Sequence, residues 1–113
     1  MFIAFATSDG VHVDEQFRRA SSLAVYEVTA TGHRLDRRCA FAADRSIKTD
    51  ERLVAILGAS IVYGVAFGPS SVLRLVQRGI RAATAPAGTR IDAVLARHAE
   101  AQRDAALPAL SRG

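Results

Sequence analysis

The 113-residue sequence contains one cysteine and no tryptophan, and it has no long hydrophobic run. The single cysteine, Cys39, excludes an internal disulfide, and without a CxxC pair or a Cys/His cluster no structural zinc site is predicted. A membrane span requires about 18 consecutive apolar residues, which are absent, so we predict no membrane association. The first residues, "MFIAFA", lack the basic region and cleavage site of a signal peptide, which predicts a cytoplasmic protein.

Several enzyme motifs are also missing. Without a P-loop, a GxGxxG fingerprint or a GxSxG elbow, the sequence gives no support to nucleotide hydrolysis, dinucleotide redox chemistry or hydrolase-type acyl transfer. Residues 61–67 form an apolar run without a carboxylate, whereas two-metal nuclease chemistry needs carboxylates on such a strand. The sequence therefore does not predict a nucleotide hydrolase, a dinucleotide oxidoreductase, a GxSxG hydrolase or a two-metal nuclease.

The chain is basic, with a net charge of +4, and fourteen of its fifteen basic residues are arginines. A basic surface attracts anions, but these arginines are scattered along the chain. Only two tyrosines and five phenylalanines are available to stack on bases. Nucleic-acid binding is therefore not predicted.

Five segments have strand patterns. Residues 2–7 and 61–67 are continuously apolar, as in strands covered on both faces. Residues 23–29 and 35–41 flank the turn "ATGH" and predict a hairpin, and residues 81–85 predict a fifth strand.

Three segments have helical periodicity. The first runs from Thr49 to Gly58, the second from Gly68-Pro69 to Gly79, and the third starts near Thr89. The residues predicted to face inward are Leu53, Val54, Ile56 and Leu57 in the first helix, Val72, Leu73, Leu75 and Val76 in the second, and Ile91, Val94, Leu95 and His98 in the third.

The element order predicts an α/β fold with three layers, α/β/α, around a mixed five-stranded sheet. The first three strands fit an antiparallel meander, and the later strand-helix units fit right-handed parallel crossovers. This order resembles the ribonuclease H-like class. We predict a single domain over residues 1–98 and a partly disordered, Ala-rich tail over residues 99–113.

The stretch "ATSDGVHVDEQFRRA", residues 6–20, is the most unusual polar segment. If the first strand lies parallel to the strand at 61–67, this loop and the Gly68-Pro69-Ser70 turn emerge at the same sheet edge, where α/β proteins bind ligands. The helix start would present free backbone N–H groups to an anion. We expect residues 8–20 to hang over this edge as a flap.

The histidines and the cysteine have different interpretations. His33 is expected in a solvated turn and His98 at the boundary of the core. Cys39 alternates with Leu35 and Phe41 and is expected to be a small buried hydrophobe, although a small enzyme with Cys39 as its nucleophile is an alternative. His12 is either an ordinary loop residue or a ligand for a transition metal.

Three stretches together resemble a known family: "IAFATSDGVHVDEQF", "LAVYEV" and "ERLVAILGASIVYGVAFGPSSVLRLVQRGI". They are similar to the nitrogenase iron-molybdenum cofactor biosynthesis (NifX-like) family over roughly residues 2–95. The resemblance implies a ribonuclease H-like fold and a non-catalytic role. It also implies binding and carriage of the iron-molybdenum cofactor or its iron-sulfur precursor cluster between donor and acceptor assembly proteins.

The resemblance also implies a site, with one departure from the family pattern. Members usually carry H-V-(D/N)-x-H-F in the loop, and the second histidine is the favoured cluster ligand. Here His12 and Phe17 match, but Gln16 occupies the position of that histidine.

Three alternatives follow from this departure. His12 takes over as the metal ligand, binding rests on anion contacts, or the protein is a regulatory or protein-interaction module that has lost its cluster. The candidate cofactor-binding residues are His12, Gln16, Phe17, Arg18, Arg19, Gly68, Pro69 and Ser70, with His12 as the metal ligand. Arg18 and Arg19 are either anion contacts or a solvated pair.

Overall fold

The computed structural model describes residues 1–41 and 49–111. The strands are β1 (Phe2–Ala6), β2 (His12–Val13), β3 (Ser22–Thr29), β4 (Gly32–Ala40), β5 (Ile61–Gly64), β6 (Arg81–Thr84) and β7 (Thr89–Arg90). The helices are α1 (Thr49–Ala55), α2 (Pro69–Gln77) and α3 (Ile91–Ser111), with one 3₁₀ turn over Phe17–Arg19. None of the described helices is both long and apolar enough to span a bilayer.

The central sheet has five strands in the order β4-β3-β1-β5-β6. β1 is antiparallel to β3 and parallel to β5, and β5 is parallel to β6. Side chains of β1 alternate between two cores because successive residues of a strand point to opposite faces. Ala4 and Ala6 pack with α1 and α2, whereas Ile3 and Phe5 pack with α3. The three-layer α/β/α fold with a mixed five-stranded sheet, predicted from the sequence, is confirmed.

The hairpin of β3 and β4 is irregular. Val25 pairs with Arg37 and its neighbour Tyr26 pairs with Leu35, so Asp36 is an extra residue, a β-bulge. A bulge reverses the side-chain alternation beyond it. The prediction that Cys39 shares a face with Leu35 is therefore wrong. Cys39 lies opposite buried Leu23 on the α1 side and is itself half-buried.

The helices α1 and α2 bury fewer apolar side chains than predicted. Leu53 of α1, Ile56 directly after that helix and Leu75 of α2 belong to the core, as expected. The predicted inward positions of the other five residues are wrong, because a short helix on one sheet face covers it with only one narrow stripe. Their exposed fractions are 66% for Val54, 51% for Leu57, 37% for Val72, 60% for Leu73 and 61% for Val76.

The helix α3 covers the opposite face of the sheet. Its buried residues Ile91, Val94 and Leu95 match the predicted inner face, and His98 is half-buried at its boundary. The helix continues to Ser111, and Ala99 packs in the core, so regular structure extends into the segment that the sequence assigned to a tail. Residues 112–113 of that segment lie outside the described chain.

The polar loop lies at the carboxyl end of β5, as expected, but it is anchored at two places and is not a hanging flap. β2 pairs antiparallel with β7, His12 opposite Arg90 and Val13 opposite Thr89. Further along, Val65 N–H donates to the Glu15 carbonyl at 3.0 Å. The loop is held because its apolar residues Val13 and Phe17 are fully buried.

Candidate functional site

The loop places His12 against a carboxylate. His12 Nδ1 lies 2.7 Å from Asp9 Oδ2, while the backbone N–H groups of Val11 and His12 donate to Asp9 Oδ1 at 2.7 and 2.8 Å. These bonds, the His12 side chain foremost, hold the pKa of the Asp9 carboxyl well below its usual range. An ionised Asp9 accepts the Nδ1 proton of a neutral His12, which leaves the lone pair on Nε2. The ring is 36% exposed, so this pair orients a histidine as metal ligands are commonly oriented.

The other two carboxylates of the loop are bound by serines. Asp14 accepts hydrogen bonds from the backbone N–H of Ser8, at 2.9 Å, and from its hydroxyl. Glu15 accepts from the backbone N–H and the hydroxyl of Ser21. Both acids are therefore used to shape the loop.

Phe17 joins the loop to the end of β5. Its ring is fully buried and stacks on Phe67 with centroids 5.9 Å apart, and its N–H donates to the Ala66 carbonyl at 3.3 Å. Gly64 leaves room for the Phe67 ring, because a Cβ there would lie 3.3 Å from Phe67 Cζ, closer than an ordinary contact, and within van der Waals distance of the Glu15 carbonyl oxygen and Phe17 N. Gln16 lies between these anchored residues with its side chain exposed.

The helix α2 begins at this same edge. Gly68 is its N-cap, with extended backbone angles and no side-chain cap bond, and Pro69 occupies the first turn, as predicted. Ser70 is exposed, whereas Ser71 is buried, and the Ser71 hydroxyl has no hydrogen-bond partner within the described part of the chain. The uncapped N–H groups and the partial positive charge of the first turn favour an anion.

Arg18 and Arg19 follow Phe17 in the 3₁₀ turn and are both exposed. The contact between Phe17 and Phe67 brings this turn to the residue preceding Gly68. Gln16 and the helix start therefore both lie at the carboxyl end of β5, and the two arginines follow in the adjacent 3₁₀ turn. His12 lies apart from them in the contacts described, since its neighbours are Asp9 and the strand that contains Arg90.

Sequence reasoning missed Arg52, a buried cation beneath the loop. Its Nη2 donates to the Ala20 carbonyl at 2.7 Å, and its guanidinium lies 4.5 Å from the centre of the Phe41 ring. Only 6% of the residue is exposed, and burial lowers the pKa of the guanidinium. An arginine next to the apolar residue Leu53 in a short helix gives no sequence signal of this role. For Asp9 a signal exists, since Asp followed by Gly is typical of a turn in which the Asp side chain accepts a hydrogen bond from the backbone two residues on, here from Val11 N–H.

Metal ligands are sparse in this site. Across residues 1–41 and 49–111, no three His, Cys, Asp or Glu side chains are grouped so that they could enclose a metal ion. The arrangement offers one oriented imidazole, two exposed guanidinium groups and a helix N-terminus. Such a set suits a large anionic ligand that brings its own metal and keeps it, rather than a free metal ion.

Fold and loop together define the class: a small ribonuclease H-like α/β/α domain with a polar loop fixed over the carboxyl edge of its parallel strands. The family model described as "Dinitrogenase iron-molybdenum cofactor" matches residues 1–101. The chain belongs to this family, as the sequence resemblance predicted.

Two relatives are named NifX. The protein from Klebsiella pneumoniae is 35% identical over 98 residues, covering 84% of this chain and 63% of that protein. The protein from Rhodobacter capsulatus is 33% identical over 87 residues, covering 69% of this chain and 55% of that protein. The chain thus spans less than two-thirds of the length of these relatives.

A solved structure, described as "Crystal structure of PH0822", shares the fold. Its TM-score is 0.65 at 17% identity, covering 90% of this chain and 93% of that one.

Proposed function

We propose that this protein binds the iron-molybdenum cofactor or its iron-sulfur precursor cluster and carries it, without catalysing a reaction, between cytoplasmic proteins of cofactor assembly. Membership of the family supports cofactor binding as the general role. The single observation that carries the site is the attachment of the loop to the α2 start through Phe17 and Phe67.

Two kinds of contact would hold the cargo: hydrogen bonds to its negative charge and ligation of its metal. Cluster cargo is anionic, so Arg18, Arg19 and the N-terminus of α2 at Gly68, Pro69 and Ser70 supply charge-assisted and backbone hydrogen bonds. Phe17 fixes the position of Gln16, whose amide is a weak ligand for iron but a good hydrogen-bond partner.

His12 supplies the metal-binding nitrogen in this proposal. Asp9 holds the Nδ1 proton, which directs the Nε2 lone pair to the cargo. Because His12 lies on the β2 side of the loop, the cargo would contact the loop across its width, with His12 on one side and the α2 start on the other.

Anaerobic mixing with the precursor cluster, followed by gel filtration and iron analysis, tests the proposal. Wild-type protein should co-elute with iron, and His12→Ala should bind about 10- to 100-fold more weakly. His33→Ala is the matched control, because His33 is an exposed histidine in the β3-β4 hairpin. Absence of iron in every fraction of the wild type would overturn the carrier role. Equal binding by His12→Ala and wild type would overturn only the ligand assignment.

A second candidate function is a regulatory or protein-interaction module of the same fold that has lost its cluster. Exposed apolar side chains on α1 and α2, among them Val54, Leu73 and Val76, support this alternative. Isolation of an iron-free complex from nitrogen-fixing cells, disrupted by Leu73→Glu, would favour it. A Leu73→Glu variant that retains the partner would count against this surface.

A further inference from the structure

A cleft of about 440 Å³ lies on the α3 face of the sheet, at its β6 edge. Its polar walls are Tyr63 from β5, Arg81 and Thr84 from β6, and Arg97 and His98 from α3. None of these residues belongs to the loop or to the α2 start, so the cleft is separate from the proposed cluster site.

The cleft is cationic. No acidic side chain lines it among the described residues, and neither Arg81 nor Arg97 forms an ion pair or a side-chain hydrogen bond within the described chain. Burial, then the charges of Arg97 and Arg81, lower the pKa of His98 below its ordinary value of 6.5. The positive charges therefore repel a further proton and lack compensation from the protein.

Tyr63 and His98 form a hydrogen-bonded pair within this cleft. The Tyr63 hydroxyl oxygen lies 2.7 Å from His98 Nε2, and the two rings meet edge to face with centroids 5.9 Å apart. In the neutral tautomer that carries its proton on Nδ1, His98 accepts the Tyr63 hydroxyl proton at Nε2. When His98 is protonated, Nε2–H donates to the hydroxyl oxygen, and the tyrosine proton becomes free to donate elsewhere.

We propose that this cleft binds a small molecule through an oxyanion group, a phosphate or a carboxylate. Arg81 and Arg97 supply charge-assisted hydrogen bonds to that group, and the hydroxyls of Thr84 and Tyr63 supply neutral ones. The volume falls in the range of about 300–1,000 Å³ that is typical of small-molecule sites. The ligand compensates charges that the protein leaves uncompensated.

Binding is coupled to proton uptake by His98. The groups that face His98 are Tyr63 from β5, Arg81 from β6 and Arg97 from α3 itself. An anion between them favours the imidazolium form, and protonation in turn frees the Tyr63 proton for the ligand. Affinity should therefore increase as the pH falls, by at most about tenfold per pH unit for a single proton.

Proton NMR titration of the imidazole signals tests the proposal with two probes, inorganic phosphate and succinate, at constant ionic strength set with chloride. The His98 signal is assigned by its loss in His98→Gln. We expect the pKa of His98 to move upward at saturating probe while His12 and His33 stay unchanged. A response to phosphate alone, or to succinate alone, identifies the oxyanion; a response to neither overturns the proposal.

Charge-matched variants separate a built site from general electrostatic attraction. Arg81→Gln with Arg97→Gln should weaken probe binding by about tenfold or more, because the charge-assisted hydrogen bonds to the oxyanion are lost. Arg34→Gln with Arg103→Gln removes the same charge outside the cleft and should leave the affinity unchanged. Equal weakening in both pairs would overturn the proposal. His12→Ala should bind the probes normally, so this test is independent of cluster carriage.

Discussion

The loop and the cleft are two polar regions of the same small domain. The charged side chains of the loop are paired within the protein, whereas those of the cleft are not. In the loop, Asp9, Asp14 and Glu15 each accept hydrogen bonds from backbone N–H groups or side chains a few residues away. In the cleft, Arg81 and Arg97 surround open space and repel protonation of His98. A region whose charges are paired inside the protein can hold its shape without a ligand. A region whose charges are unpaired is stabilised most by binding a ligand of opposite charge.

This contrast predicts different costs for removing charge. A charged group that is bonded inside the fold leaves an unsatisfied partner behind when it is removed. A charge in an open cleft leaves no such partner, and its removal relieves repulsion. Three substitutions test the contrast.

The largest effect is expected for Arg52→Ala beneath the loop. The change leaves the Ala20 carbonyl without its buried donor and removes the contact with the Phe41 ring. We expect a loss of about 1–3 kcal/mol in the free energy of unfolding, measured by urea denaturation. Arg34→Ala, which breaks an exposed ion pair with Glu27, is the control and should cost less than about 1 kcal/mol. Equal costs for the two variants would show that Arg52 is not a structural support of the loop.

An intermediate effect is expected for Asp9→Asn in the loop. The asparagine amide donates to His12 Nδ1, which moves the imidazole proton to Nε2 and blocks the metal-binding lone pair. Nitrogen NMR should report the exchanged tautomer, and cluster binding should weaken about 10- to 100-fold. Asp14→Asn is the control, because Asp14 bonds to Ser8 rather than to His12. If Asp9→Asn leaves the His12 tautomer unchanged, Asp9 does not orient the His12 ring.

The pH dependence of the loop follows from the same carboxylate. Because the folded pKa of Asp9 is depressed, its contribution to stability is complete above the unfolded pKa near 3.8 and is lost as the pH falls toward the folded value. The wild-type loop should therefore lose support only in strong acid, and Asp9→Asn should lose this pH dependence.

The smallest effect on stability is expected for Arg97→Gln in the cleft. Exposed substitutions usually change stability by less than about 0.5 kcal/mol, and this one relieves repulsion. The wild type should lose stability as the pH falls below 6.5 toward the lowered pKa of His98, because the unfolded chain then binds more protons. Arg97→Gln should raise the pKa of His98 in an NMR titration and reduce that loss. If the pKa of His98 is unchanged in this variant, Arg97 does not influence the protonation of His98.

Much of the architecture could be predicted because it depends on local patterns. The apolar runs at β1 and β5 predict strands covered on both faces, and Pro69 after Gly68 predicts the start of α2. The position of the loop at the carboxyl edge followed from the parallel pairing of β1 with β5. These features need only a short stretch of sequence and one rule of topology.

The remaining features depend on contacts distant in sequence. The pairing of β2 with β7 joins two-residue strands, which are too short for any periodicity. The bulge at Asp36 reverses the face of Cys39 without a distinctive residue to mark it. The cleft brings His98 to Tyr63 across 35 positions, so a histidine expected at the core boundary acquired its partner only in the folded chain.

The pairing of β2 with β7, called the seam below, affects how fast a ligand could leave His12. Beyond the paired residues, Val11 and Val13 carbonyls accept hydrogen bonds from Ile91 and Gly88 N–H groups, both at 2.9 Å. Lifting His12 from its place must break this seam at the first turn of α3, because local opening costs the contacts that it breaks. Under the proposed function, a ligand held by His12 would therefore leave slowly unless a partner protein stabilises the separated strands.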